Sequence, residues 1–533
     1  MAFSFLNNDS INISPKIASA VDEILNKIPL ELFIGSNAWA VAPAKSKSGK
    51  VLLANDTHIG YGQPSVWYEA HINYPGYDFY GNHLAGFPFA LVGHTNKYAW
   101  GLTMLENDDM DLYREKQNPE NENQYWSTDH WENFIFRNET IKIKGAADSS
   151  FKVKITRHGP VINSVVENVG KYETDPVSVW WAFTNFSGTT FQATYELTHS
   201  KNMDDVRNAC KLIEAPGLNV IYGDADGNIA WWACAKIMKR QLHVNSKIIL
   251  DGANGKDEPL GFFDFAENPH AENPQCGFVY SANNLPDSVS QNIFPGYYAP
   301  VDRSERIFIF LSREQKFSAA DMHELNSETV SDVQRDIAHE IIAVLKKNNL
   351  IAKSELNQSA AKFLSEWNGY HRLNDVAPVI HYKLFAHILN LAMKDEIGEE
   401  DFLPFQTTTT MKNAYKILFF NDSSAWWDNV NTKSKTETRK EIFAEAFSKT
   451  IDELQKQLGN DVTKWTWGKV HSTEFVHLIG RKKPMDKIFN VGPFPSLGGS
   501  ETVNNAGFPL NTDGYYKSSY GPAMRIVIDF ADI

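Results

Sequence analysis

The apolar positions of this chain follow two regimes. From residue 36 to about 310, short apolar runs alternate with clusters of Gly, Pro, Asn and Asp, the pattern of successive strands and turns. The clearest unit is V-I-Y-G at 220–223, the turn D-A-D-G at 224–227 and N-I-A-W-W at 228–232, a hairpin. D-A-D-G begins like a calcium loop, but Trp and Ala fill the later ligand positions, so it reads as a bare turn. A second hairpin has arms at 37–42 and 50–55, joined by a polar turn containing Ser48 and Gly49. From 315 to 460 the period lengthens to that of helices. Ser318 with Asp321 has the spacing of a capping box, and Ser331 opens a run in which Val333, Ile337, Ile341 and Leu345 share a face. Further helices are predicted over 354–367, 379–395 and 439–458, and strands return over 461–533, ending with M-R-I-V-I-D at 524–529. Ahead of all this, Ile17, Val21, Ile24 and Leu25 predict a helix over 15–27 that Pro29 stops. Strands, then a block of helices, then strands again predict an α+β body with an inserted helical lobe whose job is structural.

Composition narrows the function. With 533 residues, 42% hydrophobic and 22% charged, the chain can bury a large core. Aromatics at 13% suit such a core or an apolar pocket. The net charge of −14, with no basic stripe, argues against a nucleic-acid partner. Cys210, Cys234 and Cys276 are an odd set without C-x-x-C spacing, so they read as buried thiols rather than a disulfide framework or zinc site. No apolar run is long enough to span a membrane, and M-A-F-S-F-L-N-N-D-S lacks the features of a secretory signal. There is no G-x-S-x-G, H-E-x-x-H, G-x-x-x-x-G-K-[ST] or G-x-G-x-x-G, which removes elbow serine hydrolases, zinc proteases and nucleotide-dependent enzymes and leaves no sign of an organic cofactor.

The entry to the first hairpin carries the candidate chemistry. Gly35-Ser36 follows the apolar run Leu32-Phe33-Ile34 and directly precedes the first strand. Glycine reaches backbone angles closed to other residues, so the bond between Gly35 and Ser36 can be presented to attack. Cutting that bond would give Ser36 a hydroxyl and a free α-amine on one residue. An α-amine titrates near ~7.7–8 and can serve as the base for its own hydroxyl.

G-S-N-A-W-A-V followed by L-L-A-N-D-T-H resembles the start of the catalytic chain in the penicillin acylase family, N-terminal-nucleophile amidohydrolases made as self-cutting precursors. The likeness continues in family order through H-L-A-G-F-P, G-H-T-N-K-Y-A-W-G-L-T, N-D-D-M-D-L-Y, R-H-G-P-V-I, S-A-N-N-L-P, D-R-S-E-R-I and G-G-S-E-T-V-N, over nearly all of residues 30–533. It implies a four-layer αββα sandwich with the helical lobe inserted, cleavage between Gly35 and Ser36, and Ser36 as nucleophile. Residues 1–35 would be the end of the family's first chain plus spacer, and 36–533 the catalytic chain. Against the family the sequence looks truncated at both ends, and the first chain would be a partner.

By the same resemblance, His58 sits beside the nucleophile in a positioning role. The backbone N–H of Met104 and the side-chain amide of Asn283 form the oxyanion hole, and Arg303 braces the site. Many relatives bind calcium at the place of Asp108, the Met110 carbonyl and Asp111, which are hard oxygen ligands. The family's first-chain glutamate has no counterpart here, and Asn292 stands where an aspartate is used. Relatives that prefer a phenylacetyl group have pocket phenylalanines where this chain has Ile59 and Val92. Leu102 adds a third aliphatic side chain, so medium aliphatic acyl groups are expected. Relatives are exported, which implies a periplasmic or extracellular protein. The implied function is hydrolysis of linear acyl amides, with an N-acyl-homoserine-lactone acylase as first alternative and a non-catalytic binding remnant as the rival from another class.

Overall fold

Alternation along the first strand builds the layers. In β1 (Phe33–Val41), Ala38 and Ala40 point to one face and Trp39 and Val41 to the other. The structure, a computed structural model, describes residues 33–286 and 294–532. The helix predicted at 15–27 and the position of Asn292 lie outside the described residues. β1 pairs antiparallel with β2 (Leu52–Gly60), and a four-stranded sheet runs in the order Phe278–Ser281, β1, β2, Tyr520–Asp529. A seven-stranded sheet runs from His270–Glu272 through Ile229–Cys234, Leu218–Asp224, Tyr98–Met104, Val92–His94 and Tyr77–Leu84 to Trp67–Tyr74.

Ala38, Ala40 and Leu53 of the smaller sheet pack against Ala99, Ile221 and Ile229 of the larger, and the small alanines let the two sheets approach closely. On its other face the smaller sheet presents Trp39, Val41 and Leu52 to Ile307, Phe310 and Met322 of the helices Asp302–Leu311 and Ala319–Asn326. The larger sheet buries Trp100, Val220 and Tyr222 under Leu197, Val206 and Cys210 of the helices Thr190–His199 and Met203–Cys210. The order helix, sheet, sheet, helix is the four-layer αββα sandwich.

The lobe obeys helix physics. Ser318 caps Ala319–Asn326 in a full capping box with Asp321, and Ser331 and Ser354 accept from Gln334 N–H and Asn357 N–H at the starts of Asp332–Lys347 and Glu355–Ser365. Ala377–Ile397 is buried along most of its length and, with Arg439–Leu458, surrounds a core that includes Ile337, Ile341, Leu384 and Phe443.

Three expectations change. Gly35-Ser36 lies inside β1, with Gly35 opposite His58 and Ser36 opposite Thr57, rather than at its mouth. The second strand extends past Asn55 to Gly60, because the polar N-D-T-H run is held in register by Ile526, Arg525, Met524 and Pro522 of the last strand. Cys276 is exposed, while Cys210 and Cys234 are buried free thiols.

Candidate active site

Pairing of β1 with β2 brings Ser36, Asn37, Asp56 and His58 to one place, all buried. Ser36 is 1% exposed, and its N–H donates to Asn283 Oδ1 at 2.7 Å. Its hydroxyl donates to the carbonyl oxygen of Gly35, so Oγ already lies against the peptide group preceding it. Arg303, in the first turn of Asp302–Leu311, donates to the Ser36 carbonyl at 2.9 Å, to Asn37 Oδ1 at 2.8 Å and to Asn283 Oδ1 at 3.1 Å. A Cβ on Gly35 would sit 3.2 Å from Asn283 Oδ1 and 3.4 Å from an Arg303 nitrogen, so this close approach favours glycine.

His58 is held neutral. Burial depresses its pKa, with Asp56 only partly opposing. His58 Nε2 lies 3.3 Å from Asp56 Oδ2. A carboxylate can only accept and an amide nitrogen can only donate, so the tautomer of the ring decides which of Asp56 and Asn37 bonds to Nε2. Asn37 Nδ2 lies 3.4 Å from Nε2 and also donates to the Val503 carbonyl at 2.9 Å. Nδ1 has no partner and faces the Gly35 backbone, 3.6 Å from where a Cβ would stand.

Asn283 adopts left-handed backbone (φ 64°), which turns its amide inward to donate to the Met104 carbonyl at 2.8 Å. Asn219 donates to that same carbonyl at 3.1 Å. Asn55 fastens the sheets beneath: it accepts from Leu102 N–H at 3.0 Å and donates to the Asn37 carbonyl at 2.8 Å. Gly101 leaves the room, since a Cβ there would be 2.9 Å from that of Asn55.

A cavity of about 230 Å³ opens on Ser36. Val92, Leu102 and Met104 line it, together with Trp67, Phe87 and Leu197. Ile59 does not; it packs in the adjoining core beneath the seven-stranded sheet. His58 is likewise outside the lining, against the amine side of Ser36.

Sequence reasoning passed over several neighbours. Asp56, beside His58 in N-D-T-H, pairs with Arg525 Nε at 3.3 Å. Glu501, in the G-G-S-E-T-V-N motif, reaches Arg303 Nε at 3.3 Å through left-handed backbone (φ 64°). Burial would raise the Glu501 carboxyl, but Lys412 and then Arg303 overrule it and hold it at about 2. Lys412, from the lobe helix Thr409–Phe419, is 3.0 Å from Glu501. Nothing in the sequence marked it.

The carboxylates implied for calcium are also brought together. Asp108 and Asp111 lie on either side of Arg240, whose Nη2 is 2.7 Å from Asp108 Oδ2 and 2.7 Å from Asp111 Oδ1. Met110, whose carbonyl completed the implied ligand set, is in register with Trp181 in the strand Met110–Arg114. Among the described residues no group of three or more metal-ligating side chains is assembled.

A neutral histidine, a backbone-braced serine and an inward amide at the meeting of two stacked antiparallel sheets define an N-terminal-nucleophile hydrolase fold. The profile of the penicillin amidase family matches residues 1–533, and the chain belongs to that family. An acyl-homoserine lactone acylase QuiP of Pseudomonas aeruginosa is 26% identical over 93% of this chain and 62% of its own length. The penicillin G acylase of Escherichia coli is 25% identical over 64% of this chain and 40% of its own. The chain thus spans about three fifths of the QuiP acylase, at 62%, and of a further QuiP acylase, from Pseudomonas fluorescens, at 61%. A thermostable penicillin G acylase from Alcaligenes faecalis superposes with a TM-score of 0.67 at 21% identity, over 81% of this chain and 80% of the other.

Proposed function

We propose that the chain hydrolyses linear acyl amides through an acyl-enzyme on Ser36, after cutting its own Gly35–Ser36 bond. The observation that supports this best is the placement of Ser36: Oγ against the Gly35 carbonyl on one side, an apolar cavity on the other. In self-cleavage, Oγ attacks the Gly35 carbonyl carbon and its proton passes to the departing Ser36 nitrogen. The resulting ester is hydrolysed by water, leaving a Gly35 carboxylate and a free Ser36 α-amine. The amine then takes the Oγ proton as the hydroxyl attacks an acyl amide, and gives it to the leaving amine. The unpartnered Nδ1 of His58 faces the place the new amine would use and can hydrogen-bond to it. Asn283 Nδ2 and the Met104 N–H are the donors for the oxyanion, with Arg303 fixing Asn283 from behind.

The cavity is smaller than the ~300–1,000 Å³ that holds a drug-sized ligand, so it takes the acyl limb and leaves the amine outside. Its walls beside Ser36 are aliphatic at Val92 and Leu102, which reward apolar area at ~0.8 kcal/mol per buried CH₂. Trp67 and Phe87 restore part of the ring contact that an aromatic guest would use, worth ~0.5–1.5 kcal/mol per pair. On matched acyl anilides, kcat/KM is therefore expected to favour medium aliphatic over phenylacetyl groups by no more than about tenfold. A clear phenylacetyl preference would show that Trp67 and Phe87, not Val92 and Leu102, set selectivity. The acyl-homoserine lactone acylase reading is favoured by the relatives named above and by an acyl pocket without polar side-chain demands.

A further inference from the structure

Of the polar clusters away from Ser36, the one around Arg240 departs furthest from what the family resemblance implies. The side chains of Asp108 and Asp111 are 2% and 0% exposed, and that of Arg240 is 4% exposed. Two ionised carboxylates at that depth require a cation. Arg240 provides one in fixed geometry. Its Nε donates to Asp108 Oδ2 at 2.9 Å, and Nη2 reaches both Asp108 Oδ2 and Asp111 Oδ1. Tyr113 donates to the other oxygen of Asp111 at 3.3 Å. A calcium ion takes six to eight oxygens at ~2.3–2.6 Å, so it cannot share Asp108 Oδ2 and Asp111 Oδ1 with a guanidinium already bonded to both. Of the carboxylate oxygens, only Asp108 Oδ1 lacks a partner. The residues present do not fit the metal.

We propose that Arg240 is a built-in replacement for the divalent cation: it neutralises Asp108 and Asp111 and makes this corner of the fold independent of calcium. The guanidinium comes from the residue after the strand Met238–Lys239, so the ion pairs tie that strand to Met110–Arg114. They also secure the loop that leaves Met104. In that loop Leu105 N–H donates to the Gly217 carbonyl at 3.0 Å, Tyr297 N–H donates to the Glu106 carbonyl at 2.8 Å, and Asp108 N–H donates to the Pro295 carbonyl at 2.9 Å. Arg240 adds the charge-bearing anchor at the far end of the same loop. A lysine in its place would keep the charge but lose the forked geometry.

The test is thermal melting of the full chain with millimolar calcium chloride or with excess chelator, and it does not depend on activity. The wild-type melting temperature is expected to be the same in both. Arg240→Ala should melt several degrees lower in chelator and recover much of the loss in calcium, since a cation that binds only the native state must stabilise it. In the Arg240→Ala/Asp111→Asn double variant that recovery should disappear. Arg240→Lys should fold and stay insensitive to calcium. If Arg240→Ala does not fold in either condition, terbium luminescence of the wild type and of Arg240→Lys decides the matter, with no binding expected. Overturning results are a wild-type melting temperature that calcium raises and Asp111→Ala abolishes, terbium binding to the wild type at these residues, or Arg240→Ala as stable in chelator as the wild type.

Discussion

In the strand sandwich a single buried arginine, Arg303, touches Ser36, Asn37, Asn283 and Glu501. The interior of the helical lobe is filled instead by Ile337, Ile341, Leu384 and Phe443, and burial holds His371 and His381 there well below the usual histidine range. The sandwich gathers buried polar and charged groups around one serine, whereas the interior of the lobe is mainly apolar packing. Buried charge in the lobe pairs within it, as Lys383 does with Glu453 and Arg439 with Glu340, whereas Lys412 sends its ammonium out to Glu501 and so reaches Arg303 at one remove.

The largest effects are expected at the sandwich end of that link. Arg303→Met removes the guanidinium that orients both the serine and its amide neighbour, and leaves Glu501 with only Lys412. Breaking a buried pair from one side costs ~3–5 kcal/mol, and losing an oriented oxyanion donor costs ~10²–10³ in rate. Self-cleavage, followed by intact mass over time, should slow at least a hundredfold, about 2.7 kcal/mol at 1.36 kcal/mol per tenfold. Lys412→Met should cost about tenfold by the same measure, and it should do so in a way that a purely structural residue would not. With Lys412 gone the Glu501 carboxyl rises, so the acid limb of the rate moves to higher pH, and Lys412→Arg returns it. Equal losses at all pH values would mean that Lys412 serves only to hold the lobe in place.

The smallest effect separates the two regions by pH. In and at the base of the lobe, burial lowers His371, His381 and His471 from 6.5 to about 4, 3 and 4. Below 6.5 the unfolded chain takes up protons that the folded lobe refuses, so the lobe loses stability as pH falls from 6.5 toward 4. In the strand half His158 differs. Burial would lower it, but Glu115 at 2.8 Å and Glu258 at 2.8 Å raise it. That contribution is present in full below 6.5 and is lost as pH rises through the raised value. Hydrogen exchange read by region should therefore show the lobe loosening on acidification and the segment around His158 loosening on the alkaline side. Loosening of both in the same direction would contradict these assignments.

The lobe and the sandwich also differ in how far the sequence discloses them. Lobe helices have a period, and Ser318, Ser331 and Ser354 mark their starts, so element type follows from local rules. β1 and β2 are legible only in part, because Ser36, Asn37, Asp56 and His58 are buried polar residues that interrupt the apolar pattern that defines a strand. Ser36, Asn283 and Arg303 were found through motif order, and the structure brings them within hydrogen-bond reach. Ile59 shows the limit of that approach: adjacent to His58 in sequence, it points into the core, since neighbours along a strand face opposite ways. Arg240 and Lys412 carried no signal because their partners lie more than a hundred residues away and near ninety residues away, at Asp108 and Glu501. Long-range ion pairs are invisible to any reading of spacing.

On the function proposed above, Ser36 becomes the nucleophile by being freed from Gly35. Intact mass and N-terminal sequencing of the purified chain test it most directly. The expected product begins at Ser36, with residues 1–35 released, and a Ser36→Ala variant should stay whole and inactive. A wild type that hydrolyses acyl amides while Gly35 and Ser36 remain joined would contradict it, because the base assigned to the reaction would not exist.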